Sequence, residues 1–190
     1  MEIESINEFE LVSERLIIKV LNDTYAEKVV DYYKRNTEHF QYALADFNYE
    51  NFSIEKQTDL FWSEFELMVE EKAIRFYIFH KDDILFNNII GDISISNIIR
   101  GNFQSCNLGF KLDKGEIRKG LMFEALDKVI EYLFNLLKLH RIEAEIIVGN
   151  IQAIKLLQKL NFRGEGLCYD FLKIDGKWKN YLRFSLINNH

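Results

Sequence analysis

Arg118 and Lys119 stand immediately ahead of Gly120, and Gly120 opens an amphipathic run beginning Leu121-Met122. This spacing predicts a short apolar strand, a tight basic loop and then a long helix. The first N–H groups of a helix have no intrahelical partner, so backbone donors and two cations converge at the junction. A pyrophosphate suits that geometry. Further on, Asn150 follows a second apolar strand and can cap a second helix, which closes at Asn161-Phe162.

The other reactive residue types form no constellation. His39, His80, His140 and His190 are scattered without ligand spacing, which leaves no expected metal site. Cys106 and Cys168 show neither a metal-type spacing nor a disulfide framework, in keeping with a reducing compartment. No Ser-His-Asp or Cys-His arrangement stands out. The Gly patterns of triphosphate and dinucleotide loops are missing.

The elements that must carry the basic loop follow from hydrophobic periodicity. Leu11 to Val20 reads as a first strand. Thr24 and Glu27 have capping-box spacing, which predicts a helix to about Arg35. The stretch 36–52 is aromatic but aperiodic and reads as a loop, either over a pocket or packed on the core. Ser53 caps a second helix whose buried face is Phe61, Phe65, Met68 and Val69. Strands follow at Ala73–His80, Ile89–Ile99 and Phe103–Leu112. In the second of these, Asp92, Ser94 and Ser96 form a polar stripe, read as a solvated face ahead of a pocket lining. The helix after the basic loop buries a stripe from Leu121 to Leu137. Ile142–Val148 is a strand joined to Phe103–Leu112 by that crossover helix, which predicts a parallel pair. Asn161 suits the left-handed position after the last helix. Two terminal strands, Gly164–Ile174 and Trp178–Ile187, flank a hairpin turn at Asp175-Gly176.

The fold class expected is mixed α/β. It comprises a mostly antiparallel twisted sheet with one splayed parallel pair, and helices on both faces. Length favours one domain over 1–190, with neither a second domain nor an internal repeat. Apolar residues at 48% and aromatics at 14% argue against disorder. A formal charge of −6 gives no footprint for nucleic acid. The N-terminus lacks the apolar core of a signal peptide, and no run reaches the length of a membrane span, so the expected location is the cytoplasm.

At the quoted residues the chain resembles the GNAT superfamily of acetyltransferases, of the RimJ/RimL type. The matching pieces are Ser-Glu-Arg-Leu at 13–16, Ile-Ile-Gly at 89–91, and Leu-Gly-Phe at 108–110. Arg-Lys-Gly-Leu-Met-Phe-Glu-Ala-Leu at 118–126, Leu-His-Arg-Ile-Glu-Ala at 139–144 and Asn150 to Gly166 follow in the family's order. The resemblance implies transfer of an acetyl group from acetyl-CoA to a primary amine by direct attack, without a metal. It implies that the pyrophosphate lies on the N–H groups of Arg118, Lys119, Gly120, Leu121 and Met122. It places the pantetheine along Phe110, Lys111 and Leu112, with Asn150 bonding the pantetheine amides and Lys155 reaching the nucleotide phosphates.

Three positions depart from the family pattern. Arg118 replaces the first Gly of the usual Gly-x-Gly, where its guanidinium can crowd or grip a phosphate. Ala153 replaces a Ser that would protonate the departing thiolate. Asn107 replaces an acidic residue and can orient a water or the amine without acting as a base. The candidate catalytic residues are therefore Asn107, Asn150 and Asp170, with Glu165, Tyr169 and the Asp92 strand as further proton carriers. Expected partners are acetyl-CoA and an amine acceptor, either a protein N-terminus, possibly ribosomal, or a small amine. The expected assembly is a monomer or homodimer, without nucleic acid or membrane. The loop at 36–52 and the terminal hairpin would shape the acceptor pocket. A catalytically idle CoA-sensing module is the second reading, motivated by Asn107 and Ala153.

Overall fold

The computed structural model describes residues 9–40, 53–174 and 176–188. β1 (Glu10–Val12) and β2 (Leu16–Lys19) form an antiparallel hairpin with Leu11 opposite Ile18, so the single expected strand is split. The Ser13 amide closes its turn on the Leu16 carbonyl at 3.0 Å. A 3-10 turn (Asp23–Tyr25) leads into α1 (Ala26–Arg35). Its cap is Asn22, whose Oδ1 accepts from the Thr24 amide at 3.1 Å, in place of the expected Thr24–Glu27 box. The short α2 (Thr37–Phe40) follows, where a loop was expected; the rest of the aromatic stretch, 41–52, lies outside the described residues.

Ser53 caps α3 (Ile54–Val69) by accepting from the Lys56 amide, as its position predicts. The face that α3 buries is set by Gln57 and Phe61; Val69, expected inside, is exposed. β3 (Ile74–His80), β4 (Gly91–Ile99) and β5 (Ser105–Leu112) form a meander. α4 (Leu121–Asn135), β6 (Arg141–Ile147) and α5 (Ile151–Lys159) follow, then the hairpin β7 (Arg163–Ile174) and β8 (Lys177–Ile187). α4 ends before Leu137, which packs on the core from the segment beyond the helix. Asn161 takes φ 65°, the left-handed conformation that ends α5. Of the predicted Asp175-Gly176 turn, Gly176 is described and Asp175 lies outside the described residues.

The sheet order is β1-β2-β3-β4-β5-β6-β8-β7, and only β5 and β6 run parallel. Alternation along β3 divides the core. Ile74, Phe76 and Ile78 pack with Leu126, Val129 and Leu157 of α4 and α5. Tyr77 and Phe79 pack on the opposite face with Val29, Tyr32 and Phe61 of α1 and α3. The sheet is thus covered by helices on both sides.

The parallel pair makes only three rungs, ending at Asn107 opposite Glu143. Beyond it β5 stays on β4 as far as Leu112, and β6 stays on β8 as far as Ile147. The two strands therefore part at their carboxyl ends. The backbone groups that would have joined them face a gap instead of each other.

Candidate active site

A cleft of about 440 Å³ opens at that gap. Phe110, Lys111 and Leu112 form one wall, and Arg118, Gly120, Leu121 and Met122 form its floor. Asn150 and Ala153 close it from the start of α5, with His39 and Phe40 of α2 on the remaining side. The volume and the mostly apolar lining suit a small organic ligand.

The floor has the character of an anion site. Gly120 is the N-cap of α4 at φ 78°, and no side chain caps the helix. The first N–H groups of α4 are thus left to whatever enters the cleft. Arg118, standing where a glycine is usual, also takes the left-handed conformation at φ 63°. The backbone of the loop therefore keeps a glycine-like path although Arg118 lines the cleft. Lys119 turns away and pairs with Glu116 at 3.0 Å.

Asn150 caps α5, with Oδ1 accepting from the Ala153 amide at 3.1 Å. The cap uses the oxygen, so what the side chain offers a ligand is its NH2. Lys155, expected at the phosphates, is exposed and does not line the cleft. Lys159, one turn further along α5, does, with Nζ 4.1 Å from the centre of the Phe123 ring. The two lysines are four residues apart and share one face of α5, and only the later one reaches the cleft.

Behind the wall lies a charged cluster. Asp92, read in sequence as part of a solvated stripe, is completely buried. It accepts from Lys111 Nζ at 2.8 Å, Arg75 at 3.2 Å and the Tyr32 hydroxyl at 3.1 Å. Arg75 also pairs with Glu64. The reason for the correction is tertiary: α1 and α3 cover the face on which Asp92 points. Burial pulls the Lys111 ammonium down, but Asp92 beside it prevails and holds it above its ordinary range. Burial, then the charge of Asp92, pushes the Tyr32 phenol well up. With all three donors committed to it, Asp92 supports the wall and is removed from the candidate bases.

The other carriers named from sequence are dispersed. Asp170 sits in an irregular stretch of β7 at φ 45°, exposed, its amide donating to Asn180 Oδ1 at 2.9 Å. Tyr169 is exposed, and Glu165 is held by Arg141 and Ser185. None of the three lines the cleft. Asn107 stands on the last rung of the parallel pair, accepting from Asn97 at 3.2 Å and donating to Glu145 Oε2 at 3.1 Å. Arg183 holds the other oxygen of Glu145 at 3.0 Å. Glu145 thus stands beside Asn107 just past the last rung of the pair, although neither residue lines the cleft. Its signal in the sequence was only alternation with Glu143, which marks a polar face and no more. His39 was likewise missed, because only the fold of α2 carries it to the cleft.

A short polar assembly joins α1 to the loop after β5. Asp113 accepts from Arg35 and from Asn36 Nδ2, each at 2.8 Å, and Asn36 Oδ1 accepts from the Lys114 amide at 2.9 Å. Burial opposes ionisation of Asp113, but these bonds and that from the Gly115 amide outweigh it and hold the carboxyl below its usual range. The side of the cleft formed by α2 is thereby tied to the floor. Among the described residues no group of His, Cys, Asp and Glu could hold a metal ion, and no helix is long and apolar enough to cross a membrane.

The sequence profile of the acetyltransferase (GNAT) domain matches residues 15–163. The chain is 30% identical to the probable N-acetyltransferase YjcK of Bacillus subtilis (strain 168), over 94% of this chain and 97% of that protein. It is 32% identical to the [ribosomal protein uS5]-alanine N-acetyltransferase of Escherichia coli (strain K12), over 93% and 89% of the two chains. Among solved structures, the ribosomal-protein-S5-alanine acetyltransferase from Vibrio fischeri superposes with a TM-score of 0.88 at 28% identity. That match covers 95% of this chain and 97% of the other.

Proposed function

The chain belongs to the GNAT acetyltransferases, and from that premise we propose that it acetylates the N-terminal amine of a protein. It is an acetyl-CoA-dependent N-acetyltransferase with relatives of the RimJ and RimL type. The observation that carries the site assignment is the meeting of an uncapped helix N-terminus with the parting of β5 and β6 in one cleft. The diphosphate of acetyl-CoA lies on the N–H groups from Arg118 to Met122, with Arg118 and Lys159 as counter-charges. The pantetheine runs along Phe110, Lys111 and Leu112 as an extra strand in the gap, its amides using the free backbone groups and the NH2 of Asn150.

The reaction is direct attack of a neutral amine on the thioester carbonyl. The N–C bond forms, the nitrogen of the tetrahedral intermediate gives up a second proton to water, and collapse of the oxyanion breaks the C–S bond to release the CoA thiolate. Holding amine and thioester in contact supplies much of the acceleration. Asn107 and Glu145 stand where the amine reaches the gap. Glu145, which pairs with Arg183, draws in the acceptor amine, and Asn107 orients it; the amine loses its proton to water before attack. The thiolate leaves without a dedicated acid at position 153. The acceptor class follows from the kinship with enzymes named for the uS5 alanine, so peptides beginning with alanine are the first acceptors to test.

The test has two stages. Acetyl-CoA at 100 times its dissociation constant should add about 2.7 kcal/mol of stability, a rise of several degrees in Tm. Gly120→Glu, which sets a carboxylate at the anion site, should abolish the shift. Release of free thiol is then followed with uS5 N-terminal peptides, their N-blocked forms, and polyamines. Turnover of free peptides alone supports the proposal. Turnover of polyamines alone refutes the acceptor, and a shift without turnover of any amine favours an idle CoA-binding module.

A further inference from the structure

Arg15 stands outside the cleft, yet one of its nitrogens reaches the loop that forms the floor and two reach the first turn of α4. Its Nε and Nη2 both meet Glu124 Oε2 at 2.7 Å, and its Nη1 donates to the Lys119 carbonyl at 3.1 Å. Its backbone amide donates to Glu124 Oε1 at 2.8 Å, and the Ser13 hydroxyl joins at the same oxygen at 2.7 Å. Ser13 and Arg15 occupy the turn between β1 and β2, and Glu124 lies in the first turn of α4.

From this arrangement we infer that Arg15 is a positioning residue for cofactor binding, one that turns the loop's N–H groups toward the diphosphate. The inference rests on the placement of that diphosphate at Arg118–Met122. In a planar trans peptide the C=O and N–H bonds point in opposite directions. The Lys119 carbonyl and the Gly120 amide belong to one such unit. Anchoring the carbonyl on Arg15 therefore turns the Gly120 N–H away from Arg15. The approach is close: a Cβ on Gly120 would lie 3.7 Å from Arg15 Nη2. Without the anchor the peptide is free to flip, which would present an oxygen to the phosphate.

Arg15 has a second effect through charge. Glu124 favours the N-terminal end of its own helix, but a carboxylate one turn from the anion site repels a diphosphate. The guanidinium cancels that charge from behind the loop. Its planar fork serves Glu124 and the Lys119 carbonyl at once, which the single ammonium of a lysine does in a less directed way.

The experiment measures acetyl-CoA affinity by isothermal titration for wild type, Arg15→Ala, Arg15→Lys and Arg15→Ala/Glu124→Gln. Ser53→Ala, which removes the cap of α3 far from the loop, is the control for destabilisation. Arg15→Ala should bind acetyl-CoA about tenfold more weakly or worse, with Arg15→Lys in between. The double variant should recover part of the loss, because it removes the unbalanced carboxylate but not the need for the anchor. In steady state, KM for acetyl-CoA should rise while KM for the amine stays unchanged. Wild-type affinity in Arg15→Ala overturns the inference, as does an equal loss in Ser53→Ala. Unchanged affinity in Gly120→Glu would instead remove the diphosphate placement itself.

Discussion

Asp92→Asn keeps the shape of a completely buried side chain and removes only its charge. Two carboxylates, Asp92 and Glu64, now balance two cations, Arg75 and Lys111. After the change, Tyr32 can still donate to Oδ1, but Lys111 and Arg75 face a neutral amide whose NH2 is itself a donor. Lys111 loses its only carboxylate within salt-bridge distance among the described residues, in a setting where burial already opposes its charge. Removing one partner of a buried ion pair destabilises by about 3–5 kcal/mol. At about 2–4 °C per kcal/mol for a chain of this size, Tm should fall by roughly 6–20 °C. Urea unfolding at constant m-value provides the measurement. Asp92→Asn/Lys111→Met restores the charge balance and should recover most of the loss. A single-variant loss below about 1 kcal/mol, or a double variant no better than the single, would refute the claim that charge balance holds this wall of the cleft.

Three further variants probe the site. Arg118→Gly relieves a left-handed residue that costs about 1–2 kcal/mol, against about 0.4–1 kcal/mol of added unfolded-state freedom, so unfolding stability should rise by up to about 1.6 kcal/mol. If the guanidinium grips phosphate, acetyl-CoA affinity should fall in the same variant; unchanged affinity would leave the backbone as the whole anion site. Asn150→Asp keeps a capping oxygen and should hold stability while weakening acetyl-CoA binding, whereas Asn150→Ala should lose both, with about 1 kcal/mol of stability. Equal affinity in both variants and wild type would reduce Asn150 to a cap. Burial opposes ionisation of Glu124, but bonds from the Arg15 amide, the Ser13 hydroxyl and the Arg15 guanidinium outweigh it and hold the carboxyl below its usual range. A depressed carboxyl stabilises the fold above its unfolded pKa of about 4.3, and the contribution is lost as pH falls through the lower folded value. Stability measured between about pH 3 and pH 7 should therefore fall at the acid end, less steeply in Glu124→Gln; identical slopes would show that the Arg15–Glu124 contact adds nothing.

Local chemistry explains what could be read without the fold. The N-cap roles of Ser53 and Asn150, the left-handed Asn161, the Gly120 junction and the parallel strand pair each depend on neighbours within a few residues or on simple periodicity. Strand alternation similarly placed Ile74, Phe76 and Ile78 together. The errors came where a local pattern had two readings. Leu11–Val20 was apolar enough for one strand, yet the polar Ser13-Glu14-Arg15 turns it into a hairpin. Thr24 was expected to cap α1, but Asn22 caps a 3-10 turn ahead of it and α1 starts without a side-chain cap.

The sequence by itself determined the family and most of the element order from Ser53 onward, because these depend on short-range geometry and on motifs kept in order. Only the tertiary structure decided which charges work and which support. A polar residue on a strand reads the same whether water or a helix lies over it, so Asp92 could be recognised as buried only once α1 and α3 covered it. Lys159 rather than Lys155 reaches the cleft because of where α5 packs, and Glu145 meets Asn107 only because two strands distant in sequence lie side by side. Arg15 meets Glu124 across more than a hundred residues, and no spacing rule reaches that far.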